Sequence, residues 1–592
     1  MFEREQQVIE ATVRGYCSDT GLPDPGKLKW NPIPFSGEWG ISTSFFQLAA
    51  QEARNKNDSP TKLPPVQMRA QEIASGIAVQ LDTPPGFSRV EALNGYLNLY
   101  FSTSEYSNRV IDNVLKEGGE FGCGDPKGEL IMVEFSQPNT HKAFHVGHLR
   151  NVIVGSVMCN ILECAGYGVV RANYIGDIGW HVIKWLWNYL NYHNGEVPGE
   201  DKTRWMGDIY SEADNRLEDN PEFEPEVRAL FSHWDNRDPE IVALWKKTRE
   251  WSLEGFEQIY DLLDVNFDRI YYESEVEQPG KALVDDLIRS GVAEDERPDG
   301  PVIIRLDDLL GLEKEKYRVL VILRSDGTSL YASKDLPLAI QKFQEYDLNR
   351  SIYVIDVRQS LYMQQIFKTL EIMGYAWAKD CYHLAYEIVN LPGNVTMSSR
   401  EGTVVLLEDL IREATERAYQ IVEEKNPLLS EERKLQVSQA VALGALKYTM
   451  LARDNVKIVT FDWESALDFD GQAAPYIQYA HVRANSILRR MEGPLPDPLK
   501  PEHELHPSEI QLIDLISRIP AEIQRAAKEY KPLHLTNLVY EIARAFSDFY
   551  NQCPVLKAEP ELRAFRLRLV AASRQAIANL LNILGITAPE TM

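Results

Sequence analysis

The run from Ser136 to Arg150, Ser-Gln-Pro-Asn-Thr-His-Lys-Ala-Phe-His-Val-Gly-His-Leu-Arg, brings together a lysine (Lys142), two histidines (His145 and His148) and a glycine between them (Gly147). The apolar stretch Ile131 to Phe135 ahead of it reads as a buried strand, and Val146 to Ala165 behind it as a helix. The reactive side chains therefore fall at a strand–turn–helix junction. A helix N-terminus offers unpaired N–H groups and a partial positive charge, which suits the phosphates of a nucleoside triphosphate. Gly147, having no side chain, lets a flat base or ribose approach the backbone. His145 and His148 share a helix face and can both reach the phosphates. Alternatively the pair could hold a metal, although no glutamate lies between the histidines and no third ligand is near. Taken alone, it could also be two ordinary polar residues at a helix start.

The surrounding chain is long enough for several domains. Residues 1 to about 125 read as an α+β module, with a helix over Val66 to Gln80 and strand-like alternation from Gly95 to Phe101. Gly118-Gly119 and Gly122 to Lys127 read as a linker. From about 126 to 405 strands and helices alternate: strands over Val169 to Ile175, Ser351 to Val357 and His383 to Val389, helices over Trp180 to Tyr192 and Leu361 to Met373. This is a doubly wound α/β pattern. Val319 to Ser333 reads as a hairpin turning at Asp326-Gly327. Glu196 to about Pro239 is highly charged and reads as a surface insertion with a solvated face. After Leu406 the chain becomes helical, with helices over Leu435 to Leu451 and Pro475 to Arg490, a loop from Pro494 to His506, and a last helix ending near Gly585.

Charge and cysteine usage narrow the classes. The net charge of −26 argues against nonspecific nucleic-acid binding. It is uneven: residues 476 to 592 carry 14 Lys and Arg against 13 Asp and Glu, so any RNA surface is expected there. No apolar span is long enough for a membrane, and the N-terminus is too charged for a secretory signal. The six cysteines show no CxxC, and Cys159 and Cys164 read as small core residues of a reduced cytoplasmic protein.

With these residues in view, the chain resembles class I aminoacyl-tRNA synthetases, whose HIGH motif takes the form His145-Val-Gly147-His148. The longer string from Ser136 to Arg150 resembles the arginyl-tRNA synthetase family. Tyr174-Ile-Gly176-Asp177-Ile-Gly179 looks like that family's G-D-x-G segment, Arg324 to Asp335 like its amino-acid-binding segment, and Met397 to Thr403 like its KMSK loop. Phe461 to Glu464 and Pro475 to Arg483 resemble the start of its anticodon-binding domain. These matches follow family order along nearly the whole chain. Gln137, Ile178 and Trp180 depart from the family's usual residues.

The resemblance implies a Rossmann-type α/β catalytic domain (126–405, with a charged insertion near 196–250), an N-terminal α+β domain touching the tRNA elbow (1–125) and an all-α anticodon-binding domain (406–592). It implies activation of L-arginine with ATP and Mg²⁺, then transfer to the 2′-hydroxyl of the terminal adenosine of tRNA(Arg), by a cytoplasmic monomer. His145, His148 and Lys142 would align the triphosphate and supply positive charge. The KMSK-like loop has Thr396 and Ser399 where lysines are usual. Lys142 would replace the missing cation, helped by Arg400. Gly147, Gly176, Asp177, Gly179, Met397, Ser398 and Ser399 would contact ATP. Tyr331 and Asp335 would grip the guanidinium, which wants bidentate carboxylate acceptors. Glu134, Asn139, His145 and Gln359 would complete the arginine pocket. Tyr96, Asn98, Tyr476, Tyr479, Arg483 and Tyr550 would touch tRNA, each tyrosine being equally readable as packing with a wet hydroxyl. Two other readings stay open: a synthetase-like protein that only binds tRNA or arginine, and a class I enzyme for another amino acid such as cysteine.

Overall fold

A computed structural model describes residues 3–55, 64–391, 395–396, 406–498 and 504–592. Chain contacts gather into two compact units: one of residues 1–121, 483–518 and 544–576, the other of 122–482, 519–543 and 577–592.

The first unit holds a four-stranded antiparallel sheet, in spatial order Asn31–Pro32, Gly40–Ser44, Tyr96–Phe101, Phe87–Leu93. Helices Phe46–Asn55, Val66–Leu81 and Thr103–Glu117 accompany it. The helix expected from Val66 is present and runs one residue further. Leu97 and Leu99 are fully buried while Tyr96 is exposed, the alternation expected of a sheet with one covered face. Trp39 Nε1 donates to Asp514 Oδ1 at 2.9 Å, joining sheet and helical parts of this unit.

The second unit is built on a five-stranded sheet. Its strands are β1 (Leu130–Glu134), β2 (Gly168–Ile175), β3 (Arg269–Tyr272), β4 (Arg350–Asp356) and β5 (Cys381–Tyr386). The spatial order is β5-β4-β1-β2-β3, and every pairing is parallel. β1 is thus the strand from which the order runs outward in both directions. In such sheets ligands bind beyond the carboxyl ends at that switch point. Helices α1 (Val146–Cys164), α2 (Trp180–Tyr192), α3 (Lys202–Asp219), α4 (Glu224–Asp235), α5 (Pro239–Leu263), α6 (Glu273–Arg289), α7 (Tyr331–Glu345) and α8 (Ser360–Ile372) surround or extend it. The doubly wound expectation holds, with element ends shifted by a residue or two.

Three readings need correction. First, the charged stretch after Glu196 is not merely a solvated face. It folds into α3 and α4 and leads into α5, around an apolar core that includes Met206, Ile209, Val227, Trp234 and Trp245, packed on Trp185 and Trp187 of α2. Second, the hairpin over Val319 to Ser333 is shorter than expected. Strand Val319–Leu323 pairs with Val302–Arg305, Leu323 only bridges Ser329, and α7 already begins at Tyr331. Third, Cys164 is not a free core thiol: it forms a disulfide with Cys123, while Cys159 stays free and buried. The start of β5 also comes two residues early, and Val389–Leu391 forms a separate strand.

Among the described residues beyond 406, helices Leu407–Lys425, Glu431–Leu451, Ala474–Arg489, Pro507–Ser517, Ile519–Glu529, Leu533–Gln552 and Pro560–Ile583 make up the regular structure, apart from short elements near 459–466. Arg150, fully buried in α1, donates to the carbonyls of Lys457 (2.9 Å) and Asp454 (3.3 Å), tying the helix to the segment before these last elements. No helix among the described residues is long and apolar enough to cross a membrane.

The contact between α1 and the end of β1 is unusually close. A Cβ built on Gly155 would lie 2.2 Å from the Phe135 ring, which is itself fully buried. Gly155→Ala should therefore destabilise the second unit by about 1–3 kcal/mol, the cost typical of overpacking. A denaturant melt of the purified protein reads this as an earlier first transition; an unchanged midpoint would show that the helix can slide.

Candidate active site

The loop between β1 and α1 holds three non-glycine residues in the left-handed region: Ser136 (φ 75°), Gln137 (φ 49°) and His141 (φ 61°). Such conformations cost free energy and persist only where neighbours enforce them. Here side chains do so. Asn151 Oδ1 accepts from Ser136 N (2.6 Å), Asn173 Oδ1 from Gln137 N (3.1 Å), and Ser252 Oγ from His141 N (2.9 Å). Thr140 N donates to Gly176 O at 2.9 Å, and Gly176 N to Pro138 O at 3.1 Å, zipping the loop to the end of β2. His141, with no sequence role assigned, is fully buried between Thr140 and Thr248 hydroxyls (2.9 and 2.8 Å) and edge-on to Trp185.

His145 caps α1. Gly147 N donates to His145 Nδ1 (3.1 Å), His145 N donates to His148 Nδ1 (3.2 Å), and the two rings stack with centroids 3.9 Å apart. Because each Nδ1 accepts from a backbone N–H, each proton must sit on Nε2. The site therefore presents two neutral Nε2–H donors. Burial pushes His145 down to about 4 and His148 well below its ordinary value, with the Lys142 charge adding to both. The sequence reading assigns these histidines a share of the positive charge around the triphosphate; burial favours their neutral, hydrogen-bond-donating form. The glycine's reason changes too. A Cβ on Gly147 would meet the His145 ring at 2.8 Å, so the cap itself requires glycine.

Lys142 lies two residues before the buried Phe144, with its stem partly covered. Its Nζ sits 4.8 Å from the Tyr210 ring centroid. Among the described residues no carboxylate lies within 4 Å of it, and burial together with Lys184 lowers its pKa. Asp214 attracts it from beyond ion-pair distance.

The G-D-x-G segment is mainly architectural. A Cβ on Gly176 would fall 2.2 Å from Asn139 Oδ1, so Gly176 makes room for Asn139. Gly179, at φ 119°, is the N-cap of α2. Asp177, expected at ATP, has a fully buried carboxylate that accepts from Ser274 N (2.8 Å), Ser274 Oγ (2.7 Å) and Arg249 Nη1 (3.0 Å).

Around the carboxyl ends of β1, β2 and β4 lies a pocket of paired charges. Glu134 ends β1, buried, accepting from Gln137 Nε2 (2.9 Å) and ion-paired with the fully buried Lys342 of α7. Asp335, one turn after Tyr331 on α7, accepts from the Tyr362 hydroxyl. Burial pushes its carboxyl up to about 7, with the Glu134 charge adding and the Tyr362 bond opposing. Lys334 Nζ meets Glu273 Oε1 at 2.6 Å. Asn139, Glu273, Tyr331 and Lys334 line a cleft of about 730 Å³ together with residues of α2 and α4. Tyr331 stands exposed on its rim, and Gln359 is exposed just past β4. Lys342, Tyr362, Glu273 and Lys334 were missed in the sequence. Lys342 had one signal: it lies two turns after Asp335, on the same face of a helix.

Met397, Ser398, Ser399 and Arg400 lie outside the described residues. The chain that follows them returns to the site, since Leu406 bridges His145 and Leu407 N donates to Phe144 O. Of the residues expected at tRNA, Tyr96 is exposed and edge-on to Phe46 beside a second cleft of about 740 Å³, and Asn98 accepts from Ser42 Oγ. Tyr476 packs near Tyr540 (5.6 Å), Tyr479 is exposed, and Arg483 stacks over Tyr550 (5.1 Å).

Among the described residues no group of three or more His, Cys, Asp or Glu is arranged to hold a metal ion. A parallel sheet whose central strand leads into a helix capped by a His-Val-Gly-His run is the arrangement expected of a class I aminoacyl-tRNA synthetase. Comparison with known proteins agrees. The class I (R) tRNA synthetase catalytic domain matches residues 110–463, and the DALR anticodon-binding domain matches 477–592. An arginine–tRNA ligase of Clostridium perfringens is 35% identical over 88% of this chain and 90% of its own length, and one of Treponema denticola is 32% identical over 99% of both. The solved arginyl-tRNA synthetase of Thermus thermophilus superposes with a TM-score of 0.76 at 26% identity, over 99% of this chain and 100% of that one. The chain belongs to the arginyl-tRNA synthetase family.

Removing one member of the Glu134–Lys342 pair leaves a buried charge unmatched, which costs about 3–5 kcal/mol. Lys342→Met should destabilise the catalytic unit by that order, and adding Glu134→Gln should recover most of it. Equal melts for the single and double variants would contradict the pairing.

Proposed function

We infer that the protein joins L-arginine to tRNA(Arg) in two steps. Arginine and ATP give arginyl-adenylate and pyrophosphate. The 2′-hydroxyl of the terminal adenosine then takes the arginyl group. The arginine carboxylate, ionised at neutral pH, attacks the α-phosphorus without help from a base. The protein's task is alignment and charge. His145 and His148 donate Nε2–H to phosphate oxygens, and the N-terminus of α1 adds its partial charge. Lys142 provides the cation that the loop near Ser399 lacks, with Arg400 as its helper. Mg²⁺ brought with ATP would offset the charge of the phosphates, with no protein ligands assigned to it. Tyr331 and Asp335 take the guanidinium, while Glu134, Asn139 and Gln359 shape the rest of the pocket. Gly147, Gly176, Gly179, Met397, Ser398 and Ser399 stand around the nucleotide. Asp177 holds that wall in place from behind. Tyr96 and Asn98 meet the tRNA elbow, and Tyr476, Tyr479, Arg483 and Tyr550 the anticodon arm. The reading is of a cytoplasmic monomer.

The observation that carries this reading is Lys142: a partly buried ammonium with no carboxylate in reach among the described residues, beside two neutral donors at a helix N-terminus. The test is ATP–pyrophosphate exchange with arginine, with and without tRNA, using lysine and citrulline as controls. Exchange should depend on arginine, and Lys142→Ala should lower its kcat by about 10²-fold with little change in KM for arginine. Equal exchange with lysine or citrulline would overturn the specificity, and an unchanged kcat would overturn the role of Lys142.

Arginine affinity should depend on pH through Asp335. With its carboxyl near 7 in the free protein, the group is largely protonated below that pH and a poor acceptor for guanidinium. A bound guanidinium favours the carboxylate, so binding releases a proton. Affinity should rise with pH through about 7 and level off above it. Calorimetry in two buffers of different ionisation enthalpy measures the released proton, and Asp335→Asn should remove it.

A further inference from the structure

We propose that Tyr210, on the helix α3 that the sequence presents as surface, is a positioning residue for the adenylation step: its ring face holds the Lys142 ammonium toward the nucleotide. The proposal rests on Lys142 being the cation of that step. Lys142 Nζ lies 4.8 Å and Lys184 Nζ 5.2 Å from the same Tyr210 ring centroid. Both fall within the range where a ring quadrupole attracts a cation. The two lysines differ in their other partners. Lys184 is ion-paired with Asp214, one turn after Tyr210 on α3. Lys142 has no carboxylate within 4 Å among the described residues; Asp214, paired with Lys184, attracts it only from further off, and the Tyr210 ring is the close contact it makes. Burial raises the cost of its charge, and the neighbouring ammonium of Lys184 adds to it.

That combination is what an anion site requires. A salt bridge would hold Lys142 firmly but would cancel the charge a phosphate needs. An aromatic face orients the ammonium and leaves its three N–H donors and full charge for the ligand. Lys184 has the opposite arrangement, its charge being offset by Asp214.

The platform is rigid. Helix α3 presses on the residue after Lys142: a Cβ on Gly207, three residues before Tyr210 and on the same face, would lie 2.5 Å from Ala143 Cβ and 3.1 Å from its backbone N. Trp185 Nε1 donates to Met206 O (2.9 Å) and Asn188 Nδ2 to Ile209 O (3.1 Å), fixing α3 to α2 on both sides of Gly207. At its start, Arg204 pairs with Asp409 at 2.7 Å, on the helix Leu407–Lys425. Tyr210 thus stands on a helix locked to the same elements that frame His145.

The test is a double-mutant cycle in arginine-dependent ATP–pyrophosphate exchange, using the full chain with tRNA present. Tyr210→Leu and Tyr210→Met should each lower kcat about tenfold, as loss of a partly desolvated cation–π contact would, and leave KM for arginine within about twofold. Tyr210→Phe, which keeps the ring, should behave as the parent. In a Lys142→Ala background the Tyr210 substitutions should have no further effect. Thermal melts identify a variant that fails to fold, and the Leu and Met pair gives two independent readings. Three results would each overturn the proposal: a kcat loss of the same size in the Lys142→Ala background as in the parent, a defect in Tyr210→Phe equal to that of Tyr210→Leu, or no defect in either ring-deleting variant. Full activity of Lys142→Ala alone would instead overturn the reading on which it rests.

Discussion

Everything at the site depends on how the chain turns from β1 into α1. Three side-chain-bearing residues must stay in the left-handed region there, and Asn151, Asn173 and Ser252 hold them by accepting their backbone N–H groups. This turn sets His145 at the N-cap and brings His148 behind it. The backbone N–H groups then occupy both Nδ1 atoms, and the tautomer is fixed by the fold. One geometric constraint thus decides a chemical fact: each Nδ1 is an acceptor, so a neutral ring carries its proton on Nε2. The positive charge that phosphate chemistry needs must come from another residue.

Lys142, the residue proposed to supply that charge, has no carboxylate within 4 Å among the described residues, whereas the acidic groups of the proposed amino-acid pocket are each given a close partner. Glu134 is matched by Lys342, Glu273 by Lys334, and Asp335 by the Tyr362 hydroxyl. Of these, only Asp335 is held by a neutral partner. It is therefore the carboxyl whose proton a guanidinium most readily displaces. With Lys142 outside any ion pair closer than 4 Å among the described residues and Asp335 bonded to a hydroxyl, the proposed site would favour a ligand carrying both phosphate and guanidinium, the two ends of the adenylate.

Much of this was legible in the sequence where local chemistry fixes local structure. The β1–α1 junction, α2 and four of the five parallel strands follow from apolar runs, capping residues and glycines, and their ends moved by no more than three residues; β3 was not foreseen. What was not legible depends on residues far apart in the chain. Lys342 meets Glu134 across 208 positions, Arg150 reaches the carbonyl of Lys457 across 307, and Cys123 finds Cys164 across 41. The helical segment after Glu196 misled for a related reason. Its many acidic residues suggested solvent on all sides. Its apolar face is carried by a few widely spaced tryptophans and aliphatics that make sense only against Trp185 and Trp187. Asp177 shows the limit of a motif. The residue stands where the family pattern puts it, but its carboxylate is used to hold Ser274 and Arg249.

The central claim is that one cation serves adenylation and that Lys142 carries it because position 399 does not. The most direct measurement is the single-turnover rate of arginyl-adenylate formation in four proteins: the parent, Lys142→Ala, Ser399→Lys, and the two combined. The account predicts that Ser399→Lys restores a large part of the rate lost in Lys142→Ala while adding little when Lys142 is present. A gain from Ser399→Lys that is the same in both backgrounds would show two independent charges and contradict it.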